Sequence, residues 1–396
     1  MMRTFAIPIT KSCLRDGRFA PRVAHLGAAV IVSIAAPASL RAQDVAPVND
    51  LPNPYETVRN WGSLPDGRAW GSVPAVQIDP DGRSLWVLDR CGTQSWQSAG
   101  VSSCAGQDLP PVMKLDTSTG ELLLAFGTGM FVFPHALHVD PAGNVWVADS
   151  RTATSEELAR FPSAAGRGQV VVKLSPRGEV LLTVGTPGEA GDPPARLNQP
   201  MDVAVAPNGD VFIAEGDHSG TRVARISKYS ADGAFLKSWG RPGSGPGELR
   251  IPHGLAFDGR GRLLVADRGN HRVQIFDQDG GYLGEYRQFG RPSDVFVDAS
   301  GLLYAIDSES GQRLNPGWRK GVRIGRASDG EVLYFIPPHY IPDTFLFPSG
   351  ITVYSEGAAG DGVTVDADGN VYAAEVGTGN PIMGITKYVR RFELAR

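Results

Sequence analysis

The chain has only three cysteines in 396 residues, too few for a zinc ribbon built on four thiolates. It contains no Gly-x-Ser-x-Gly element and no Gly-x-x-x-x-Gly-Lys-Ser/Thr loop. A serine hydrolase of the nucleophile-elbow type and a P-loop nucleotide enzyme therefore have no support. The formal net charge of -4, from 38 basic and 42 acidic residues, leaves no cationic excess for nucleic acid or an anionic membrane surface. There is no long low-complexity tract. What the chain has in quantity is glycine (49) and proline (30), as expected of many short strands joined by turns.

The one conspicuous apolar run, Leu26 to Leu40, is too short and too rich in small residues to span a bilayer comfortably. It follows a basic start made by Arg3, Lys11, Arg15, Arg18 and Arg22, and it leads to Leu40-Arg41-Ala42. This pattern predicts an export signal over 1–42, removed near Ala42, in preference to an N-terminal anchor. The expected location is periplasmic or secreted, with no membrane association after signal removal. No cysteine follows the apolar run, which argues against a lipoprotein. Cleavage would leave Cys91 and Cys104 in one polar loop, and an oxidising compartment would join them as a disulfide.

The rest is a repeat. Six short apolar strands run into turns at Val76–Asp79, Leu137–Asp140, Val203–Ala206, Leu255–Asp258, Val295–Asp298 and Val363–Asp366. The clearest full unit runs from Pro252 through Arg272-Val273-Gln274-Ile275-Phe276 to Phe289-Gly290, with four strands. The sixth unit stops after a third strand, Ile385–Val389, while an orphan fourth strand lies at Tyr55–Gly62. Pairing the two would remove the open sheet edges. These features predict an all-β fold, a six-bladed β-propeller over 43–396 as one domain, whose last blade is closed by the N-terminal strand. An open solenoid would not explain the orphan strand.

Aligned on the turn residue, the units place Pro74, His135, Met201, His253, Ser293 and Asp361 at equivalent positions, just before the innermost strands. Blades two, four and six supply His135, His253 and Asp361. Alternate blades of a six-fold ring are about 120° apart, so these three side chains can point at one axial atom. Two imidazoles and a carboxylate with open positions suit Zn²⁺, Fe²⁺ or a similar divalent ion. Two histidines at equivalent places on alternate blades favour metal ligation over packing at strand ends. One position on, Asp202 and Asp294 recur in blades three and five. They suit either a second ion such as Ca²⁺ or the capping of backbone amides.

The stretches Phe133 to Asp149, Gln199 to Val205, and Ile251-Pro252-His253-Gly254-Leu255 leading to Val265-Ala266-Asp267-Arg268-Gly269-Asn270-His271-Arg272 resemble NHL repeats. The order of motifs is similar to peptidylglycine α-amidating lyase (peptidylamidoglycolate lyase) over most of the mature chain. The resemblance implies a zinc site of three histidines on alternate blades, the third replaced here by Asp361. It also implies that Arg90 and Arg268 match two arginines facing the substrate. The family's tyrosine base falls in Ala214–Gly220, which has no tyrosine, so Asp217 or His218 would take the role or the base is absent. The acid of the family's structural calcium aligns with Gly362.

Together these expectations describe an exported, metal-dependent lyase-like propeller. It would cleave the C–N bond of an α-hydroxyamide, with His135, His253 and Asp361 on the metal and Arg90, Arg268 and His218 acting on substrate. Zinc is the expected ion, with calcium as a further candidate. The expected partner is a small molecule or peptide bearing a carboxylate, and the chain is expected to be a monomer. The rivals are a metal-dependent lactone or ester hydrolase and a non-catalytic ligand-binding propeller.

Overall fold

The structure is a computed structural model that describes residues 45–92, 103–216, 222–338, 360–377, 383–392 and 394. The export signal expected over 1–42 and the candidate base at Asp217 or His218 lie outside the described residues. The chain from Val45 onward forms one compact unit.

Among the described residues, strand β1 (Tyr55–Val58) precedes six blades. Blade one holds β2 (Ala75–Ile78), β3 (Ser84–Leu88), β4 (Val112–Asp116) and β5 (Leu122–Phe126). Blade two holds β6 (Pro134–Val139), β7 (Val145–Asp149), β8 (Val170–Leu174) and β9 (Val180–Val184), with helix α1 (Ser155–Arg160) in its β7–β8 loop. Blade three holds β10 (Pro200–Val205), β11 (Val211–Gly216), β12 (Ala224–Tyr229) and β13 (Phe235–Trp239). Blade four holds β14 (Pro252–Phe257), β15 (Leu263–Asp267), β16 (Arg272–Phe276) and β17 (Tyr282–Tyr286). Blade five holds β18 (Asp294–Val297), β19 (Leu302–Asp307), β20 (Gly321–Arg326) and β21 (Val332–Ile336). Blade six holds β22 (Gly362–Val365), β23 (Val371–Val376) and β24 (Met383–Arg390).

Each blade is a four-stranded antiparallel sheet, and β1 completes the last one beside β24. The register pairs Tyr55 with Arg390 and Val58 with Lys387. The main chain continues the contact through Trp61 N, which donates to Ile385 O at 3.0 Å. The expected six-bladed propeller and its closure by the N-terminal strand are therefore both present.

Apolar side chains pack between neighbouring blades, so the core is a ring of inter-blade layers. Val147 and Val172 of blade two meet Trp86 and Leu88 of blade one. The ring closes where Val87 and Met113 of blade one pack on Tyr372, Ala374 and Ile385 of blade six. No blade buries both faces alone, and each face in turn covers its neighbour's.

Two sets of acids repeat around this ring. The turn acids close the first hairpin: Asp140 Oδ1 accepts from Ala142 N and Asn144 N, and Asp258 Oδ1 from Arg260 N and Arg262 N. The second oxygens of Asp140 and Asp366 anchor an aromatic of the next strand, with Trp146 Nε1 donating to Asp140 Oδ2 at 3.2 Å and Tyr372 OH to Asp366 Oδ2 at 2.9 Å, while Asp258 Oδ2 accepts from Arg262 Nε at 2.7 Å. The other set, Asp89, Asp149, Glu215, Asp267, Asp307 and Glu375, ends the second strand of each blade and is fully buried. It is this second set that positions the site.

Candidate metal centre

The buried acids hold the loops that carry the candidate ligands. Asp149 accepts from Val132 N at 2.9 Å and Phe133 N at 2.6 Å, two residues before His135. Asp267 accepts from Arg250 N at 2.6 Å, and Arg268 N donates to Ile251 O at 3.2 Å. Those contacts hold Ile251, a β-branched residue at φ 56°, in the left-handed region before Pro252-His253. Both acids follow an alanine at the end of the second strand, Ala148-Asp149 and Ala266-Asp267, a repeat visible in the sequence.

The three predicted ligands converge. One donor atom from each of His135, His253 and Asp361 lies within 4.8 Å of the others, and all three side chains are buried. The two imidazoles meet edge to face with centroids 4.9 Å apart, and His253 Nε2 is 3.9 Å from Asp361 Oδ2. They line an axial cavity of about 220 Å³, shared with Met201, Asp202 and Ser293.

The tautomers are set by the intervening blades. His135 Nδ1 is 2.8 Å from Met201 O, and His253 Nδ1 is 2.8 Å from Ser293 O. A carbonyl oxygen only accepts, so each Nδ1 carries the proton and each Nε2 offers its lone pair. Even-numbered blades supply ligand atoms, and the odd-numbered blades three and five supply the carbonyls that orient them. This donor set fits a divalent ion. Two imidazole nitrogens and one carboxylate oxygen are ligand types that zinc takes.

Both arginines stand beside the cluster. Arg268 Nη1 is 3.6 Å from Asp361 Oδ1 and 3.7 Å from Glu309 Oε1, and its buried Nε has no hydrogen-bond partner among the described residues. Arg90 Nε donates to Pro134 O at 3.1 Å, and its guanidinium lies 4.0 Å from the centre of the Phe133 ring. Burial pulls the Arg90 pKa down to about 10, opposed first by the Asp361 carboxylate, so the side chain stays cationic at neutral pH. The next residue, Cys91, is joined to Cys104 in a disulfide.

Asp202 and Asp294 line the same cavity. Asp202 accepts from Val203 N at 2.7 Å and Leu255 N at 2.6 Å, while Asp294 accepts from Val295 N at 2.8 Å and Val363 N at 3.0 Å. Every oxygen of the pair takes a backbone amide, and one amide in each case belongs to the next blade. Burial, then the charge of Asp294, push the Asp202 carboxyl well above its usual range, and burial pushes Asp294 up to about 7. His138 also lines the cavity, and burial lowers its pKa to about 4. Its Nε2 accepts from Val205 N at 3.3 Å, away from the ligand cluster. Sequence reasoning did not single out Ser308, whose Oγ donates to Asp361 Oδ1 at 3.3 Å.

The fold and the site define a six-bladed β-propeller with a histidine–histidine–aspartate cluster at its axis. Residues 249–276 match the model of the NHL repeat. The chain is similar to peptidyl-glycine alpha-amidating monooxygenase A of Xenopus laevis, with 33% identity over 210 residues, 50% of this chain and 20% of that protein. It is similar to peptidyl-alpha-hydroxyglycine alpha-amidating lyase 1 of Drosophila melanogaster, with 33% identity over 181 residues, 43% of this chain and 30% of that protein. The matched part thus spans a fifth to about a third of these relatives. A gluconolactonase from Xanthomonas campestris shares the fold, with a TM-score of 0.53 and 16% identity over 87% of this chain and 95% of that one. The chain therefore carries an NHL repeat in a six-bladed propeller and resembles the α-amidating lyases.

Proposed function

We propose that this protein is an exported, metal-dependent lyase that cleaves the C–N bond of an α-hydroxyamide, releasing an amide and an oxoacid such as glyoxylate. The observation that carries this reading is the convergence of His135, His253 and Asp361 beside two buried arginines. The similarity to proteins named hydroxyglycine amidating lyases supports the choice of reaction.

His135 Nε2, His253 Nε2 and Asp361 Oδ2 would hold the ion, zinc by its donor set. When bound, the ion supplies Lewis acidity toward an oxygen of the substrate. Arg90 and Arg268 bind the substrate carboxylate by charge-assisted hydrogen bonds. In the reaction the substrate hydroxyl gives up its proton and its carbon becomes the carbonyl of the oxoacid. The C–N electron pair goes to nitrogen, which takes up a proton, and no water is consumed. Asp217 or His218 is the proposed proton acceptor.

The export reading draws support from the basic, then apolar, N-terminal segment and from the Cys91–Cys104 disulfide, which suits an oxidising compartment. No helix among the described residues is long and apolar enough to cross a membrane. The amides on Asp202 and Asp294 favour their capping role over a calcium site. The proposed partner is one substrate molecule bearing a carboxylate, acted on by a monomer.

The test is release of glyoxylate from an α-hydroxyglycine derivative by metal-loaded protein, with a lactone and an aryl ester assayed alongside. Glyoxylate release that disappears in His253→Ala supports the lyase. Turnover of the lactone or ester alone would move the protein to the hydrolases, and metal-free, inactive protein would favour a binding propeller. The missing tyrosine base predicts modest turnover.

A further inference from the structure

Asp361 is a proposed ligand whose two oxygens have different surroundings. Oδ2 faces the histidines, 3.9 Å from His253 Nε2. Oδ1 accepts from Ser308 Oγ at 3.3 Å and lies 3.6 Å from Arg268 Nη1. Ser308 Oγ is in turn 2.7 Å from Ser293 Oγ. Ser308 Oγ spends its one proton on Asp361, so it accepts the hydrogen bond that Ser293 Oγ donates. The two hydroxyls form a directed chain that ends on Oδ1. Ser293 is fully buried, and its main-chain oxygen holds His253 Nδ1 at 2.8 Å. One serine pair on blade five therefore touches the ligand of blade four through a carbonyl and the ligand of blade six through a hydroxyl.

We propose that Ser308 is a positioning residue that presents Asp361 to the metal through Oδ2 alone. One-oxygen ligation leaves an open coordination position, which a site acting on substrate requires. The inference rests on the metal reading above. Without the Ser308 hydroxyl, Oδ1 loses its hydrogen bond and stays 3.6 Å from the Arg268 cation. The carboxylate then turns toward Arg268, which draws it away from the histidines and weakens the site.

The experiment compares wild type with Ser308→Ala and Ser308→Thr. Zinc affinity is measured by competition with a chromogenic chelator, and the cobalt-substituted proteins are compared by visible absorption. Wild type and Ser308→Thr should bind one ion with matching affinity and spectrum. Ser308→Ala should bind roughly 10–100-fold more weakly, the usual effect of losing an outer-shell contact, with a changed cobalt spectrum. Should Ser308→Ala fail to fold, the isosteric pair Ser308→Thr and Ser308→Val makes the same comparison. Equal affinity and an unchanged spectrum without the hydroxyl would overturn the role of Ser308 while leaving the metal site standing. Wild type that takes up no zinc or cobalt would overturn both.

Discussion

His135 Nδ1 lies 2.8 Å from the main-chain oxygen of Met201, on the next blade of the ring. His253 and Ser293 repeat the contact at the same distance two blades on. Each imidazole is thus pinned by a neighbouring blade, with its Nε2 directed to the axis. Long-range ¹⁵N–¹H spectra at pH 8 should show the Nδ1–H tautomer for both rings. An Nε2–H tautomer at either residue would contradict the arrangement.

Arg90 and the metal ligands should fail in different ways. Arg90 donates to Pro134 O and lies over the Phe133 ring. Arg90→Ala should keep its metal while kcat/KM falls by about ten- to hundredfold, the loss of a charge-assisted hydrogen bond of roughly 1.5–3 kcal/mol. Loss of metal from Arg90→Ala would make it a structural residue of the site.

The Cys91–Cys104 bond joins residues 13 positions apart, directly after Arg90. A loop of that size constrains the unfolded chain by about 3 kcal/mol in the entropy model. Non-reducing peptide mapping should find the linked pair. Cys91→Ala/Cys104→Ala should lower activity by a larger factor than it lowers metal content. Two alkylatable thiols in protein from an oxidising compartment would refute the bond.

Glu157 predicts a pH dependence. Burial alone would raise its pKa, but Arg151, the Ser103 hydroxyl and Thr154 N together hold it down at about 2. Arg151 Nη1 pairs with Oε2 at 2.7 Å, and Thr154 and Glu157 form a capping box on α1. A depressed pKa gives stability that is present above the unfolded value of about 4.5 and lost as pH falls toward 2. Wild type should exceed Glu157→Gln in melting temperature at pH 7, and the gap should close between pH 4.5 and 2. A gap that stays constant over that range would show that the carboxylate charge is not responsible.

Much of this was legible in the sequence because a propeller repeats. The strand-turn units gave the blade count, and the orphan strand at Tyr55 gave the closure. Aligning units on the turn residue placed His135, His253 and Asp361 together, since equivalent positions share a radius and height. Residues that act between blades were harder to read. Ser308 lies after the second strand of blade five, off the aligned position, and nothing local ties it to Asp361, 53 residues away. Met201 acts through its carbonyl, which side-chain identity does not reveal. Helix α1 has its capping pair in Thr154 and Glu157, but only six residues and no apolar periodicity to announce it.

Elemental analysis of protein purified without added metal tests the metal centre most directly. Wild type should carry about one transition-metal ion per chain, and His135→Ala/His253→Ala should carry almost none while remaining folded. Equal metal content in the two proteins, or none in wild type, would contradict a centre built on His135, His253 and Asp361.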